Sequence, residues 1–257
     1  MSLAANKANA PRLSKASSSL NTSSLSLRKK MLEFSHVSFE RAKKSIISRL
    51  SFSLLSGQII VLFGPSGCGK TSILNLACSI LEPDFGKVNS FSHSFSFVFQ
   101  DASLLPFKTA LENVLLCSSS KDAKEAKALL ELLYFKPHDC LKYPNELSGG
   151  MKSRVNFARA LASDADIFLL DEPFAALNWE LKNFMLKILF RLVKERGKAA
   201  LFVTHDRFEA LKSADIIYVL AHGKVIKRVD LKEPRELRGE RFISKYLSEL
   251  GSDVFYE

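Results

Sequence analysis

A chain of 257 residues that is 47% hydrophobic can bury the core of one large α/β domain, or of a domain with a small lobe. Its net charge is +10, but Lys7, Arg12, Lys15, Arg28, Lys29 and Lys30 supply six of those charges from a first segment of thirty residues without an acid. That leaves a mildly basic body, which argues against a nucleic-acid partner. Cys68, Cys78, Cys117 and Cys140 stand apart with no C-x-x-C pair, which fits reduced thiols and argues against a disulfide frame or a zinc site.

Residues 1–30 are rich in Ser, Ala and Asn, lack aromatics and show no lasting apolar period. They are expected to form a disordered basic extension. The segment has no apolar core of a secretory signal, and a transit peptide is the lesser alternative to a plain extension. Apolar runs elsewhere, such as "IFLL" and "IIYVL", fall far short of the ~20 residues that span a bilayer. Any membrane role must therefore come through a partner.

From residue 31 the runs "MLEFSHVSF", "RLSFSLL" and "QIIVLF" predict strands, the last ending in a glycine-rich turn at Gly64 with a helix from about Gly69 to Cys78. "KVNSFSHSFSFVFQ" alternates Ser with Phe and predicts strands with one buried face. Core packing is the expected role of the five phenylalanines between Phe85 and Phe99. Residues 109–142 read as mainly helical, with a stripe of Ala126, Leu129, Leu130 and Leu133, and suggest a helical lobe at about 101–160 inserted into the α/β body. A helix from about Gly150, the strand "IFLLDEP" and an amphipathic helix over Glu180–Lys194 follow, the last with Leu181, Phe184, Met185, Ile188, Leu189 and Leu192 on one stripe. The strand "AALFVTHD", a short helix and a hairpin in "DIIYVLAHGKVIKRV" complete a domain over 31–230. Residues 231–257 predict a terminal helix and tail. Buried strands alternating with helices imply a mostly parallel sheet.

Three stretches carry chemistry. "GPSGCGKT" at 64–71 fits G-x-x-x-x-G-K-[ST], a loop whose backbone N–H groups and helix N-terminus wrap a phosphate. In this reading Gly64, Pro65, Ser66, Gly67, Cys68, Gly69 and Ser72 line the nucleotide, with Cys68 a small loop residue, Lys70 reaches the β- and γ-phosphates, and Thr71 offers its hydroxyl to Mg²⁺. "IFLLDEP" ends an apolar strand in Asp171, a magnesium ligand through water, and Glu172, the group that polarises the attacking water. These two motifs predict a P-loop NTPase. "NELSGGMKSRV" then places Ser148, Gly149 and Gly150 at a helix start, where the dipole favours an anion, yet with no lysine or magnesium ligand of its own.

Taken in order over about residues 31–230, these motifs resemble the nucleotide-binding subunits of ABC transporters. The resemblance implies a P-loop ABC ATPase core with a mostly parallel sheet, an N-terminal antiparallel β part and an inserted helical lobe. It also implies ATP and Mg²⁺ as ligands, and a head-to-tail dimer in which Ser148, Gly149 and Gly150 bind in trans the γ-phosphate held by the other subunit. Gln100 in "FVFQD" matches the family's glutamine that contacts magnesium and water and senses the membrane subunit; His205 in "FVTHD" matches the switch histidine that positions Glu172. "VFQDASLLPF", "LSGGMKSRV" with Met151, and "DEPFAALN" look most like importers of the nitrate, sulfonate and taurine type. The partners so implied are a second copy or a homologous ATPase subunit, an integral membrane permease and, indirectly, a solute-binding protein, with no nucleic acid. The expected place is peripheral, on the cytoplasmic face of the cell membrane.

Three positions depart from the family pattern. Asn178 stands where an aspartate is usual, which puts cross-dimer coupling in question. Near Arg41, in "FERAKK", no aromatic occupies the place that commonly stacks on adenine, leaving Phe39 or an arginine to substitute. Ser153 replaces a frequent glutamine, with no consequence derivable from sequence. The rival function is a permease-free ABC ATPase in assembly, repair or translation, which would be expected to carry paired cassettes or an added interaction domain; a nonhydrolytic regulator is disfavoured by Lys70, Asp171, Glu172 and His205.

Overall fold

The computed structural model describes residues 28–250 except His93; most of the basic extension and the last seven residues lie outside that range. Strand β1 (Lys30–Arg41) pairs antiparallel with β2 (Lys44–Leu55) on one side and with β4 (Phe85–Ser90) on the other, giving a three-stranded sheet. Lys30, the last residue of the segment set apart by composition, already pairs with Leu55, and the Lys29 carbonyl accepts from the Ser56 N–H at 2.8 Å.

The second sheet has six strands, β5 (Phe95–Val98), β6 (Ile167–Asp171), β7 (Ala199–Thr204), β3 (Ile59–Phe63), β8 (Ile216–Ala221) and β9 (Lys224–Asp230), in that spatial order. The first five run parallel and β9 closes the edge antiparallel to β8. Every residue of β3, β6, β7 and β8 is buried, because both faces of the sheet are covered; continuous apolar runs rather than alternation are the sequence consequence. In the chain between β5 and β6, helices α2 (Ala110–Cys117), α3 (Ala123–Leu132) and α4 (Gly149–Ala162) pack against one another, and α5 (Trp179–Glu195), α6 (Arg207–Ser213) and α7 (Glu240–Leu247) come after β6.

The stripe of α5 faces the core through Met185 and Leu189, with Leu181, Phe184, Ile188 and Leu192 half-buried around them. Fully burying each of the two central side chains is worth about 1.5–3 kcal/mol. Ala126, Leu130 and Leu133 are likewise buried and Leu129 is packed at the margin. Of the terminal segment, Phe242, Ile243 and Leu250 lie in the same core; residues 251–257 lie outside the described residues.

The phenylalanines between Phe85 and Phe99 correct the sequence expectation. Phe85, Phe91 and Phe99 are exposed, and Phe95 and Phe97 only half-buried. The reason is topological: β4 and β5 are edge strands of their sheets, so neither has neighbours on both sides. On β5 the fully covered positions are Ser96 and Val98, while Phe95 and Phe97 rest on the margin of the second core cluster.

Candidate active site

Strand β3 delivers the chain to Gly64 at the carboxyl edge of the six-stranded sheet, where parallel α/β folds place ligands. A β-carbon at Gly64 would lie 2.3 Å from the Leu220 carbonyl oxygen, so only glycine fits against β8. The loop then turns into helix α1 (Lys70–Ala77), whose N-cap Gly69 has φ 101° and offers no side-chain cap. The first N–H groups of α1 are thereby left for a ligand. Lys70 is buried, its Nζ donating to the carbonyls of Gly64 and Pro65 at 2.9 and 2.7 Å. Cys68 is buried with its Sγ 3.9 Å from that ammonium; burial pushes its thiol pKa up despite the cation, as befits a packing residue.

The two strand-end carboxylates point to the same place. Asp171, at the end of β6, accepts from the Thr71 hydroxyl at 2.7 Å. Burial, first of all, raises the Asp171 pKa, and the neighbouring Glu172 charge adds to it, against the pull of Thr71 and Lys70. Glu172 itself has φ 43°, a left-handed backbone that costs a non-glycine residue about 1–3 kcal/mol. Its N–H donates to the Val203 carbonyl at 3.1 Å, holding the turn against β7. The outcome of that geometry is a 3.0 Å contact between Glu172 Oε1 and His205 Nδ1, from the turn that follows β7.

A cleft of about 290 Å³ joins Ser66, Gly67, Gly69, Lys70, Thr71 and Ser72 with Gln100, Asp171 and Glu172. Arg41 and Ile46 also line it. Phe39 does not reach it: the ring is buried in the second core cluster, so of the two substitutes the sequence left open only Arg41 stands at the cleft. Gln100 is set from below by α4, whose buried Asn156 donates to the Phe99 carbonyl at 3.0 Å and whose Arg159 reaches the carbonyls of Ala102 and Ser103.

Ser148, Gly149 and Gly150 stand apart from this cleft. Ser148 is the N-cap of α4, accepting from the Met151 N–H at 3.3 Å. The Ser153 hydroxyl donates back to the Gly149 carbonyl at 3.2 Å, and Arg154 ties this end to the Gly150, Leu133 and Tyr134 carbonyls. Gly150 also has an internal reason to lack a side chain, since a β-carbon would come 3.3 Å from the Ala176 carbonyl. Ser148 and Gly149 remain exposed. Asn178 caps α5, its side-chain oxygen accepting from the Leu181 N–H at 3.0 Å.

Three residues around the His205 turn escaped the sequence reading: Thr204, Lys182 and Glu209. Their hydrogen bonds join separate elements, and the signal available was only the glutamate four residues beyond the histidine.

The family model for the ABC transporter matches residues 47–175. The taurine import ATP-binding protein of Yersinia pestis is 36% identical over 219 residues, covering 78% of this chain and 84% of that protein. The aliphatic sulfonates import ATP-binding protein of Shouchella clausii is 33% identical over 192 residues, covering 74% and 77%. A carnitine transport ATP-binding protein of Listeria monocytogenes is 33% identical over 217 residues; the alignment covers 77% of this chain and 54% of that longer relative, so the chain spans about half its length. Among solved structures, a dimeric ATP-binding cassette bound to ADP and Pi superimposes with a TM-score of 0.73 at 28% identity, over 79% of this chain and all of the cassette. The phosphate loop, the strand-end carboxylates and the separate Ser148 helix start therefore have one common explanation: this chain belongs to the ABC transporter family, among its ATP-binding subunits.

Proposed function

We propose that this chain binds and hydrolyses ATP as a peripheral subunit on the cytoplasmic face of a membrane, driving a separate permease that takes up a small solute. The observation that carries the reading is the Glu172–His205 contact at 3.0 Å beside a cleft that already joins Lys70, Thr71 and Asp171. Phosphoryl transfer asks a protein chiefly for positioning and for charge stabilisation, and this cleft supplies both. Lys70 and the N-terminus of α1 offer cationic and N–H partners to phosphate oxygens. Glu172 orients and polarises the attacking water, and His205 fixes the Glu172 carboxylate.

The residues present fit a magnesium ion. Thr71 and Asp171 bring a hydroxyl and a carboxylate within 2.7 Å of each other, an all-oxygen set suited to that hard cation, and Gln100 borders the same cleft. When bound, the ion would neutralise charge developing between the β- and γ-phosphates. The raised pKa of Asp171 supports the same reading, because a buried carboxylate without a strong cationic partner is costly and a divalent cation relieves that cost.

The exposed Ser148 and Gly149 support a dimer in which α4 completes the partner's site. Among the described residues no helix is long and apolar enough to cross a membrane; the permease of this reading is a separate spanning protein. The cargo proposed is a sulfonate- or taurine-like solute. Relatives named for taurine, aliphatic sulfonates and carnitine stand at 33–36% identity, a spread that reflects how little of the cargo is read by the ATPase.

The test of hydrolysis is Glu172→Gln, which is expected to bind ATP, to accumulate as a dimer in light scattering, and to lose steady-state phosphate release; a wild-type rate would remove Glu172 from its role. The test of transport is purification of the tagged chain from gently solubilised native membranes. An equimolar multi-spanning protein is the expected companion, and soluble partners alone would favour a permease-free ATPase.

A further inference from the structure

The turn that carries His205 is held by an ionic chain, buried at Thr204 and Glu209, that reaches it from helix α5. The Thr204 hydroxyl, one residue before the histidine, donates to Glu209 Oε2 at 2.6 Å and accepts from the Asp206 N–H at 3.0 Å. One hydroxyl thus bridges both flanks of His205. The other Glu209 oxygen meets Lys182 Nζ at 2.8 Å, and Lys182 also approaches Asp206 at 3.7 Å. Glu209 is 3% exposed. Lys182 sits in the first turns of α5, its N–H on the Asn178 carbonyl at 3.0 Å. Asp206 in turn caps α6 through the N–H groups of Phe208 and Glu209.

The polarity of this chain matters. Glu209 as a carboxylate accepts the Thr204 proton, which turns a lone pair of that hydroxyl toward the Asp206 N–H. The Lys182 ammonium holds the other Glu209 oxygen, so the carboxylate is fixed from both sides. Without it that oxygen loses its partner, and the Glu209 side chain is free to turn away from Thr204 or to admit water. The Thr204 hydroxyl would then lose the partner that orients it, the Asp206 N–H its fixed acceptor, and the turn at His205 its restraint. The same lysine links that turn to the helix capped by Asn178, so the two segments move together.

We infer that Lys182 and Glu209 are positioning residues that act through His205, setting its imidazole on Glu172. The inference rests on the catalytic role proposed above for His205. Steady-state ATPase kinetics of full-length Lys182→Met, Lys182→Arg, His205→Ala and the Lys182→Met/His205→Ala double variant test it. Lys182→Met is expected to lower kcat about ten-fold, as a sub-ångström misplacement does, with little change in KM. Lys182→Arg should restore most of the rate. In the His205→Ala background the Lys182 substitution should add nothing. Independent, multiplying losses, or an unchanged kcat in folded Lys182→Met, would overturn the link while leaving His205 in its role. A wild-type rate for His205→Ala would instead overturn the histidine's role, and the link with it. Should Lys182→Met fail to fold, Thr204→Ser and Thr204→Val ask the same question: serine should keep the rate and valine lose it, and equal rates for the two would refute the chain.

Discussion

Helix α1 begins at Gly69, which has no side chain to offer, whereas α4 begins at Ser148, whose hydroxyl already accepts from the Met151 N–H at 3.3 Å. Both are helix starts with adjacent glycines, and both carry the partial positive charge of a helix N-terminus. Around α1 the sheet gathers Lys70, Thr71, Asp171, Glu172 and Gln100 into one cleft. Around α4 the chain gathers only restraints on the helix itself, from Ser153 and Arg154. On the function proposed above, the uncapped start of α1 serves a ligand held by its own chain, and the self-capped, exposed start of α4 serves one presented by another subunit.

The largest effect that would sharpen this contrast is at α1. Lys70→Ala should lower phosphate release by on the order of 10²- to 10³-fold and weaken nucleotide binding by the monomer; retained binding at wild-type strength would show that the loop does not need its lysine. At α4, Ser148→Arg places bulk and a cation at a helix N-terminus, and should lower turnover about 30-fold while leaving nucleotide binding by the monomer in fluorescence titrations unchanged. Mixing the two inactive variants makes the comparison decisive. A heterodimer would hold one intact composite site, so activity should reappear on mixing; no recovery would place both helix starts in the same subunit's site.

A smaller effect separates the site's demands from those of folding. Because burial raises the Asp171 pKa, the ionised carboxylate costs stability at neutral pH and the cost disappears as pH falls through the folded-state pKa. Asp171→Asn should therefore melt a few degrees higher than the unmodified chain at pH 7.5 and lose that advantage in acid, while its magnesium-dependent activity is lost. Equal melting curves at both pH values would mean that the strand end bears no electrostatic cost. Smallest is the cap of α5: Asn178→Ala should cost about 1 kcal/mol, whereas Asn178→Asp should keep the cap, its oxygen still accepting from the Leu181 N–H. A loss of stability in the aspartate variant as large as in the alanine one would show that the cap is not what Asn178 provides.

Much of the cleft was legible in the chain because its parts are local. A phosphate loop is a run of eight residues, and a buried parallel strand announces itself as an apolar run ending in carboxylates at a sheet edge. The order of "QIIVLF", "IFLLDEP" and "AALFVTHD" predicted the parallel body, and β3, β6 and β7 form it. The phenylalanine-rich stretch was misread for the opposite reason: alternation reports that one face differs from the other, but not which is covered, and on β5 the covered positions are Ser96 and Val98 while Phe95 and Phe97 are half-buried.

What the sequence alone determined were the residue types that nucleotide chemistry needs, and their order along the chain. What only the tertiary structure decided was how those residues meet. It buried Phe39 and left Arg41 lining the cleft, gave Gly150 a close neighbour in Ala176, and turned Glu172 through a left-handed φ onto His205. It also joined Lys182, Glu209 and Thr204 behind that histidine. The physical reason is that backbone conformation and phosphate-loop spacing are short-range properties. Burial and the pairing of charges depend on which distant segments share a neighbourhood, and the packing of the whole sheet settles that.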